Sequence, residues 1–314
     1  MKAATIIAFG DIDQIQMADI DRPQIKPNEV LVRVRAAAIN PKDTFIRKGR
    51  FKAFTGEAFP MQTGFDFAGE IAETGADTQW PEIGAAVYGM LDGWEGRCCA
   101  EFMAADPLKL ASKPQGLAYE EAAAIPLAAS TALQALRDQA GIKAGDRVCV
   151  NGAAGGVGSM AVQIAKIFAA EVTAISSAAN HDFLTSLGAD HCIDYARQDV
   201  TRLGRAFDIF FDVFGNQPFA AISPILQPKG IWVSTVLQPH VFESVEATQN
   251  SPGKKAKMVI VEARREDLSQ IRGWVDAGRL KAVIHAVYPL ERIAEAHAQQ
   301  ETKHTRGKLV IRID

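Results

Sequence analysis

The segment Val148-Cys149-Val150-Asn151-Gly152-Ala153-Ala154-Gly155-Gly156-Val157-Gly158 constrains this chain more than any other. An apolar run of strand length enters a turn of small residues, and the turn opens an apolar helical stretch, Gly158 to Ala169. A buried strand that passes through glycines into a helix suits a dinucleotide pyrophosphate, because the helix N-terminus presents unpaired N–H groups and positive partial charge. Gly155 and Gly156 let the backbone approach a ligand, and Gly158 lets the helix pack on the strand. Ala153 stands where the first glycine of the pattern usually falls. Taken alone, the loop also suits a strand-to-helix turn with no ligand, the lesser of the two readings.

The chain beyond the loop favours the dinucleotide. Strand and helix patterns alternate: Arg147 to Asn151, then Glu171 to Ile175, a helix from His181 to Leu187, and strands at His191 to Asp194, Phe207 to Val213, Gly230 to Thr235 and Met258 to Val261. Asp267 to Ala277 gives a last helix. Such alternation predicts an α/β, doubly wound parallel sheet covered on both faces, a Rossmann domain. The first third has a different texture. Val30 to Ala36 alternates as a half-buried strand does, and Phe67 to Ala72, Val87 to Gly89 and Cys99 to Met103 are short strands among glycines and prolines. This predicts an irregular β-barrel-like domain. Between the two lies an alanine-rich helical stretch, Ala122 to Ala140, interrupted by Pro126. Strand-like texture returns after Lys281.

A chain of 314 residues suits two domains. With a net charge of -3, it offers no basic patch for nucleic acid or an acidic membrane. The start, MKAATIIAFGDIDQIQ, lacks the pattern of a signal peptide, and no stretch reaches the roughly 18 apolar residues of a membrane span. The expectation is a cytoplasmic protein whose cysteines, Cys98, Cys99, Cys149 and Cys192, are reduced thiols without metal-ligand spacing.

Cofactor choice turns on the end of the second strand of the alternating region. An NAD site places Asp or Glu there, on the ribose 2′-OH. This chain has Ser176 and Ser177, then Ala178, Ala179 and Asn180, with no acid before Asp182. Hydroxyls and an amide can donate to a 2′-phosphate, whereas a carboxylate repels it. NADPH is therefore the expected cofactor, although the same residues also suit a helix cap.

The stretch NGAAGGVGSMAVQIAK (Asn151 to Lys166) resembles the medium-chain dehydrogenase/reductase superfamily, in its zinc-independent quinone oxidoreductase (zeta-crystallin-like) branch. The resemblance extends through AAAINPKDTFIRKGRF, GFDFAGEIAETG, AAAIPLAASTALQAL, LGADHCIDY and HTRGKLVIRI, in that order along the chain. It implies a Rossmann domain, residues 122–265, inserted into a GroES-like catalytic domain made of residues 1–121 and 266–314, with cofactor and substrate in the cleft. Zinc-dependent members carry Cys where this chain has Asn40 and Gly-His-Glu where it has Gly64-Phe65-Asp66. Asn and Phe cannot serve as zinc ligands, so no metal is expected. Without a Lewis acid, the expected acceptor is a molecule whose own conjugation spreads the incoming charge.

The function implied is hydride transfer from NADPH to a quinone. An enone or enal reductase is the alternative, and a non-catalytic, crystallin-like NADPH-binding protein lies in a different class. The resemblance gives Asn40 and Asp43 as candidate catalytic residues, with Asn40 also facing the cofactor. Asn40 can bond a substrate carbonyl or the cofactor, or simply make a turn before Pro41. Further cofactor contacts are implied for Thr131, for Ala154, Gly155, Gly156 and Val157 in the loop, for Ser176, Ser177 and Asn180, for Phe214 and Val236, and for Arg306. Tyr195 either contacts the 2′-phosphate side or closes the sheet edge. Relatives often carry tyrosines where this chain has Phe45 and Phe51, and a lysine where it has Asn180. The implied partners are a small-molecule substrate and a second copy of the chain. The apolar sixth strand, Met258 to Val261, would otherwise leave an open sheet edge.

Overall fold

The structure, a computed structural model, describes residues 1–204 and 206–314. The chain forms two compact units, Met1–Leu127 with Glu262–Asp314, and Ala128–Val261.

The first unit is built on strands β1 (Lys2–Ile6), β2 (Ile15–Asp19), β3 (Val30–Ile39), β4 (Met61–Gln62), β5 (Asp66–Thr74), β6 (Ala86–Met90), β7 (Phe102–Ala105) and β8 (Leu110–Ser112). Its helices include α1 (Pro41–Arg47), α2 (Lys52–Thr55) and α3 (Tyr119–Ala123). Helix α4 (Pro126–Leu133) crosses into the second unit. That unit holds β9 (Arg147–Asn151), α5 (Gly156–Ile167), β10 (Glu171–Ser176), α6 (His181–Ser186), β11 (His191–Asp194), β12 (Phe207–Asp212), α7 (Phe219–Ile222), β13 (Leu226–Ser234), α8 (Pro239–Thr248) and β14 (Lys255–Met258). The chain then returns to the first unit through α9 (Arg265–Asp276), β15 (Ile284–Pro289), α10 (Ile293–Glu301) and β16 (Lys308–Arg312).

In the second unit, six parallel strands lie in the order β11-β10-β9-β12-β13-β14. Counted from β9, this is the doubly wound order 3-2-1-4-5-6 of the Rossmann fold. Val148, Cys149 and Val150 are fully buried, as a central parallel strand covered on both faces requires. The first unit is a GroES-like, mostly antiparallel sheet in the order β15-β16-β3-β5-β6-β8, with β7 also on β3, beside a small sheet β2-β1-β4. Its core gathers Val32, Val34, Phe67, Val87, Met103 and Leu309 from these strands. The C-terminal strand runs antiparallel to β3, with Leu309 opposite Ile39. This register matters for the site, because it brings Lys308 to the end of β3, where Asn40 follows.

Several sequence boundaries move. The sixth parallel strand is Lys255–Met258, upstream of the apolar Met258 to Val261 that periodicity selects. Ala256 is 2% exposed in the core of this unit, whereas Ile260 is 66% exposed beyond the strand. One buried alanine flanked by lysines makes a weak apolar signal, and it outcompetes the valines only because register, not local hydrophobicity, sets the pairing. Cys98 and Cys99 are fully buried ahead of β7, packed on Gly64, rather than part of a strand reaching to Met103. Pro126 interrupts the alanine-rich stretch as expected: α3 ends at Ala123 and α4 starts at Pro126, a position where its missing N–H costs nothing. No helix among the described residues is long and apolar enough to cross a membrane.

Candidate functional site

The candidate residues fall into two groups, one in each unit. In the first unit, the group grows from the end of β3. Asn40 ends the strand in extended conformation and precedes α1, whose first residue is Pro41. Asp43 folds back, accepting from the Asn40 N–H at 2.9 Å, the Thr63 hydroxyl at 3.0 Å and the Gly64 N–H at 2.8 Å. Burial pushes the Asp43 carboxyl pKa up, opposed by those three bonds and by the Lys308 charge. Asp43 thus ties α1 to the start of the Gly64 turn.

The Asn40 side chain turns inward instead of capping α1. Its Nδ2 donates to Asp66 Oδ2 at 2.9 Å and, less well, to the Ala38 carbonyl at 3.4 Å. Its Oδ1 accepts from Lys308 Nζ. Lys308 also donates to Asp66 Oδ2 at 2.9 Å, and Asp66 Oδ1 accepts from the Leu127 N–H at 2.6 Å. Asp66 is fully buried, and Asn40 and Lys308 are 3% and 4% exposed. The amide of Asn40 is therefore engaged within the chain. Both its hydrogens point at acceptors of the chain, Asp66 and the Ala38 carbonyl.

A zinc ion does not fit these residues. Where zinc-dependent members carry Cys and Gly-His-Glu, this chain holds the amide of Asn40, the ring of Phe65 and the carboxylate of Asp66, and the Lys308 ammonium already bridges the amide and the carboxylate. No three His, Cys, Asp or Glu side chains cluster as metal ligands among the described residues. Lys308 and Asp66 escaped the sequence reading as site residues. The available signal was a charged residue inside each of two apolar strands, Phe65-Asp66-Phe67 and Lys308-Leu309-Val310.

In the second unit, the candidate cofactor residues collect at the carboxyl ends of five neighbouring parallel strands, where open α/β sheets bind ligands. Past β9, Gly152 takes a φ of +79°, and the loop Ala153-Ala154-Gly155 leads into α5. A side chain on Gly158 would stand 2.7 Å from the Ala153 Cα, so glycine there lets α5 close on the loop. Above Gly155 the nearest atom to such a side chain is the Gly152 oxygen at 3.6 Å, which leaves the N-terminal end of α5 approachable. Past β10, Ser176 is buried and bonds the Ser177 carbonyl, while Ser177 Oγ accepts from Asn180 Nδ2 at 3.1 Å. Tyr195 follows β11, bonds the Ser176 carbonyl through its N–H at 3.2 Å, and is 59% exposed. Phe214 follows β12, beside Gly152, and Val236 follows β13, beside Gly215. Thr131 is buried on α4. Arg306 belongs to the other unit, where its N–H donates to His285 Nδ1 at 3.3 Å.

Asp212, which the sequence reading passed over, organises this end of the sheet. Its carboxylate accepts from Asn151 Nδ2 at 2.7 Å and from the N–H groups of Gly215 and Gln217, each at 2.9 Å. It thereby fixes the loop bearing Phe214 against the end of β9. Burial raises its pKa, opposed by these donors.

Residues 26–133 match the Alcohol dehydrogenase GroES-like domain family, and residues 187–311 match the Zinc-binding dehydrogenase family. The chain is 33% identical to the 2-methylene-furan-3-one reductase of Solanum lycopersicum, over 99% of this chain and 79% of that one. It is 30% identical to the chloroplastic NADPH-dependent alkenal/one oxidoreductase of Arabidopsis thaliana, with the same coverage of 99% and 79%. The structure of the quinone oxidoreductase from Coxiella burnetii superposes with a TM-score of 0.91 at 32% identity, covering 100% of this chain and 99% of that one. With fold, strand order and full-length relatives in agreement, the chain belongs to the medium-chain dehydrogenase/reductase superfamily, in its quinone oxidoreductase-like branch.

Proposed function

We propose that the protein is an NADPH-dependent reductase of conjugated carbonyl compounds, with quinones as acceptors and α,β-unsaturated ketones and aldehydes as the alternative class. The observation that carries this reading is the row of residues at the carboxyl ends of β9 to β13: an approachable helix N-terminus for a pyrophosphate, then two serines and an amide, with no carboxylate, at the end of β10. Ala154, Gly155, Gly156 and Val157 would hold the pyrophosphate, and Ser176, Ser177, Asn180 and Tyr195 the adenosine ribose and its 2′-phosphate. Thr131, Phe214, Val236 and Arg306 complete the proposed contacts.

Bound there, the dihydronicotinamide supplies a hydride. The first unit offers a buried Asn40–Asp66–Lys308 centre whose groups satisfy one another and do not suit a zinc ion that would hold an alkoxide. That supports acceptors that delocalise the incoming charge over their own conjugation. Asn40 and Asp43 act in this reading by fixing the turn and α1. The names of the tomato, Arabidopsis and Coxiella proteins cite an enone-type substrate, alkenals and alkenones, and quinones respectively, which supports the same range here. The proposed assembly is a homodimer.

The test is oxidation of NADPH and of NADH by the purified protein against a panel of quinones, enones and enals. Turnover with at least one class, faster with NADPH, is expected. Tight NADPH binding without oxidation by any acceptor would instead make the chain a cofactor-binding protein of the crystallin kind.

A further inference from the structure

Hydride transfer to a conjugated carbonyl leaves negative charge on oxygen, and a proton must follow. The phenols that relatives often place in this region are absent, because positions 45 and 51 are phenylalanines. Two of the first unit's tyrosines are engaged elsewhere, Tyr88 donating to the Leu268 carbonyl and Tyr119 to Glu70. Cys98 and Cys99 are fully buried, and burial pushes both thiols well up.

Helix α1 carries a group of another kind. Lys42 Nζ lies 4.0 Å from the centre of the Phe65 ring and 5.0 Å from that of Trp94, and donates to the Gly93 carbonyl. Around Trp94 stand two further rings. Phe51 tilts against it at 4.6 Å, and Phe54 stacks on it at 4.8 Å with 15° between the planes. Phe54 is 64% exposed, so the stack opens to solvent, while Phe65 beneath the ammonium is 1% exposed. A flat π surface beside an ammonium matches a planar molecule that carries a carbonyl oxygen.

We propose that Lys42 is the general acid of the reduction, and that Phe51, Phe54 and Trp94 hold the planar acceptor with its oxygen toward the Lys42 ammonium. This rests on the reductase reading above. The hydride brings two electrons from NADPH to the acceptor. An N–H bond of Lys42 breaks, an O–H bond forms on the acceptor oxygen, and the neutral amine regains its proton from water. A quinone leaves as the hydroquinone, and an enone as the enol, which tautomerises to the saturated ketone.

The surroundings suit that role. Desolvation lowers the Lys42 pKa, and the charges of Asp43 and Asp92 oppose the shift. Asp43 is committed to Asn40, Thr63 and Gly64, and Asp92 to Lys109 at 2.6 Å. Neither carboxylate bonds the ammonium, so both act on it only through space.

The experiment compares Lys42→Met and Lys42→Arg with the parent protein on one quinone and one enone, with melting curves to confirm folding. Arginine keeps the charge and the ring contacts but holds its proton at every working pH. Both variants should lose ~10²-fold in kcat, the low end for general acid catalysis, with the KM for NADPH unchanged. The decline of the parent's kcat at alkaline pH should vanish in both. Phe54→Ala should raise the acceptor KM, and an unchanged acceptor KM would overturn the placement of the acceptor on the ring stack. If Lys42→Arg and Lys42→Met both keep the parent's kcat, Lys42 is a structural cation and the proposal fails while the reductase reading stands. If the parent itself reduces no acceptor with either cofactor, the reductase reading fails and takes this one with it.

Discussion

Lys308 and Asp66 pair at 2.9 Å with side-chain exposures of 4% and 0%. Breaking a buried pair by removing one partner strands the other charge away from water. Lys308→Met should therefore cost about 3–5 kcal/mol, read as a lower urea midpoint at unchanged slope. Adding Asp66→Asn should recover part of that loss, since the stranded charge is gone. If the double variant is no more stable than Lys308→Met, the pair is not what the charge of Lys308 serves. A second residue-scale expectation concerns Ser177. It follows β10 with its hydroxyl toward Asn180, where a carboxylate would face the proposed 2′-phosphate. Ser177→Asp should move preference from NADPH toward NADH by at least about 1.4 kcal/mol, a factor of ten, in a fluorescence titration of both. An unchanged ratio would place the 2′-phosphate elsewhere. The turn of the glycine loop was legible in sequence because its conformation depends on local backbone. The Asn40–Asp66–Lys308 centre was legible only in part. Asp66 and Lys308 lie 242 residues apart, and nothing short of the antiparallel pairings of β3 with β5 and β16 places them at one point.

Helices α1 and α10 pack together in the first unit around a second polar group. Arg47 is fully buried, pairs with Glu301 and donates to the Gly10 carbonyl at 2.6 Å. Beside it, His297 is fully buried and neither ring nitrogen has a partner. Burial, aided by the Arg47 charge, lowers the His297 pKa from 6.5 to about 3. Between those two values the unfolded chain binds a proton that the folded chain refuses, so stability falls as pH drops from 6.5 toward about 3. His297→Leu removes that term and an unsatisfied polar ring together. Melting temperatures followed between neutral pH and pH 4 should decline less steeply in the variant. Parallel curves would mean that His297 gains a proton partner on acidification. At the scale of elements the sequence served best where packing and local pattern agree. Arg147–Asn151 forms the strand its apolar run predicts, and α5 opens within the predicted loop. It served less well where a segment is polar for its environment, as in β14, or where helix type changes without a local marker. Gln134–Gln139 winds as a π-helix directly after α4, a shift that alanine content alone does not announce.

For the molecule as a whole, the open question in the fold is the edge of the parallel sheet. β14 pairs with β13 on one side, and its other side has no neighbour among the described residues. The expectation of a dimer rested on an apolar edge, but the observed strand carries Lys255 and Lys257, the kind of charge that protects an edge from random pairing. A homodimer joined through β14 must then accept a specific penalty. Two-fold pairing sets the strand antiparallel to its copy, which brings the lysines of one protomer near those of the other. The attraction comes from the backbone groups of the edge and from apolar surface nearby, where Phe242 on α8 is 48% exposed and Ile260 66% exposed. Salt screens the repulsion and leaves the attraction in place. The proposed dimer should therefore tighten as ionic strength rises, the reverse of an assembly held by ion pairs. Replacing Lys255 and Lys257 together with serine should tighten it at low salt and flatten the salt dependence. Sedimentation velocity across a micromolar dilution series, at low and high salt, checks both points. A monomer at every concentration and salt would show that the two lysines keep the edge closed to its copy. A dimer that loosens with salt would move the interface away from β14.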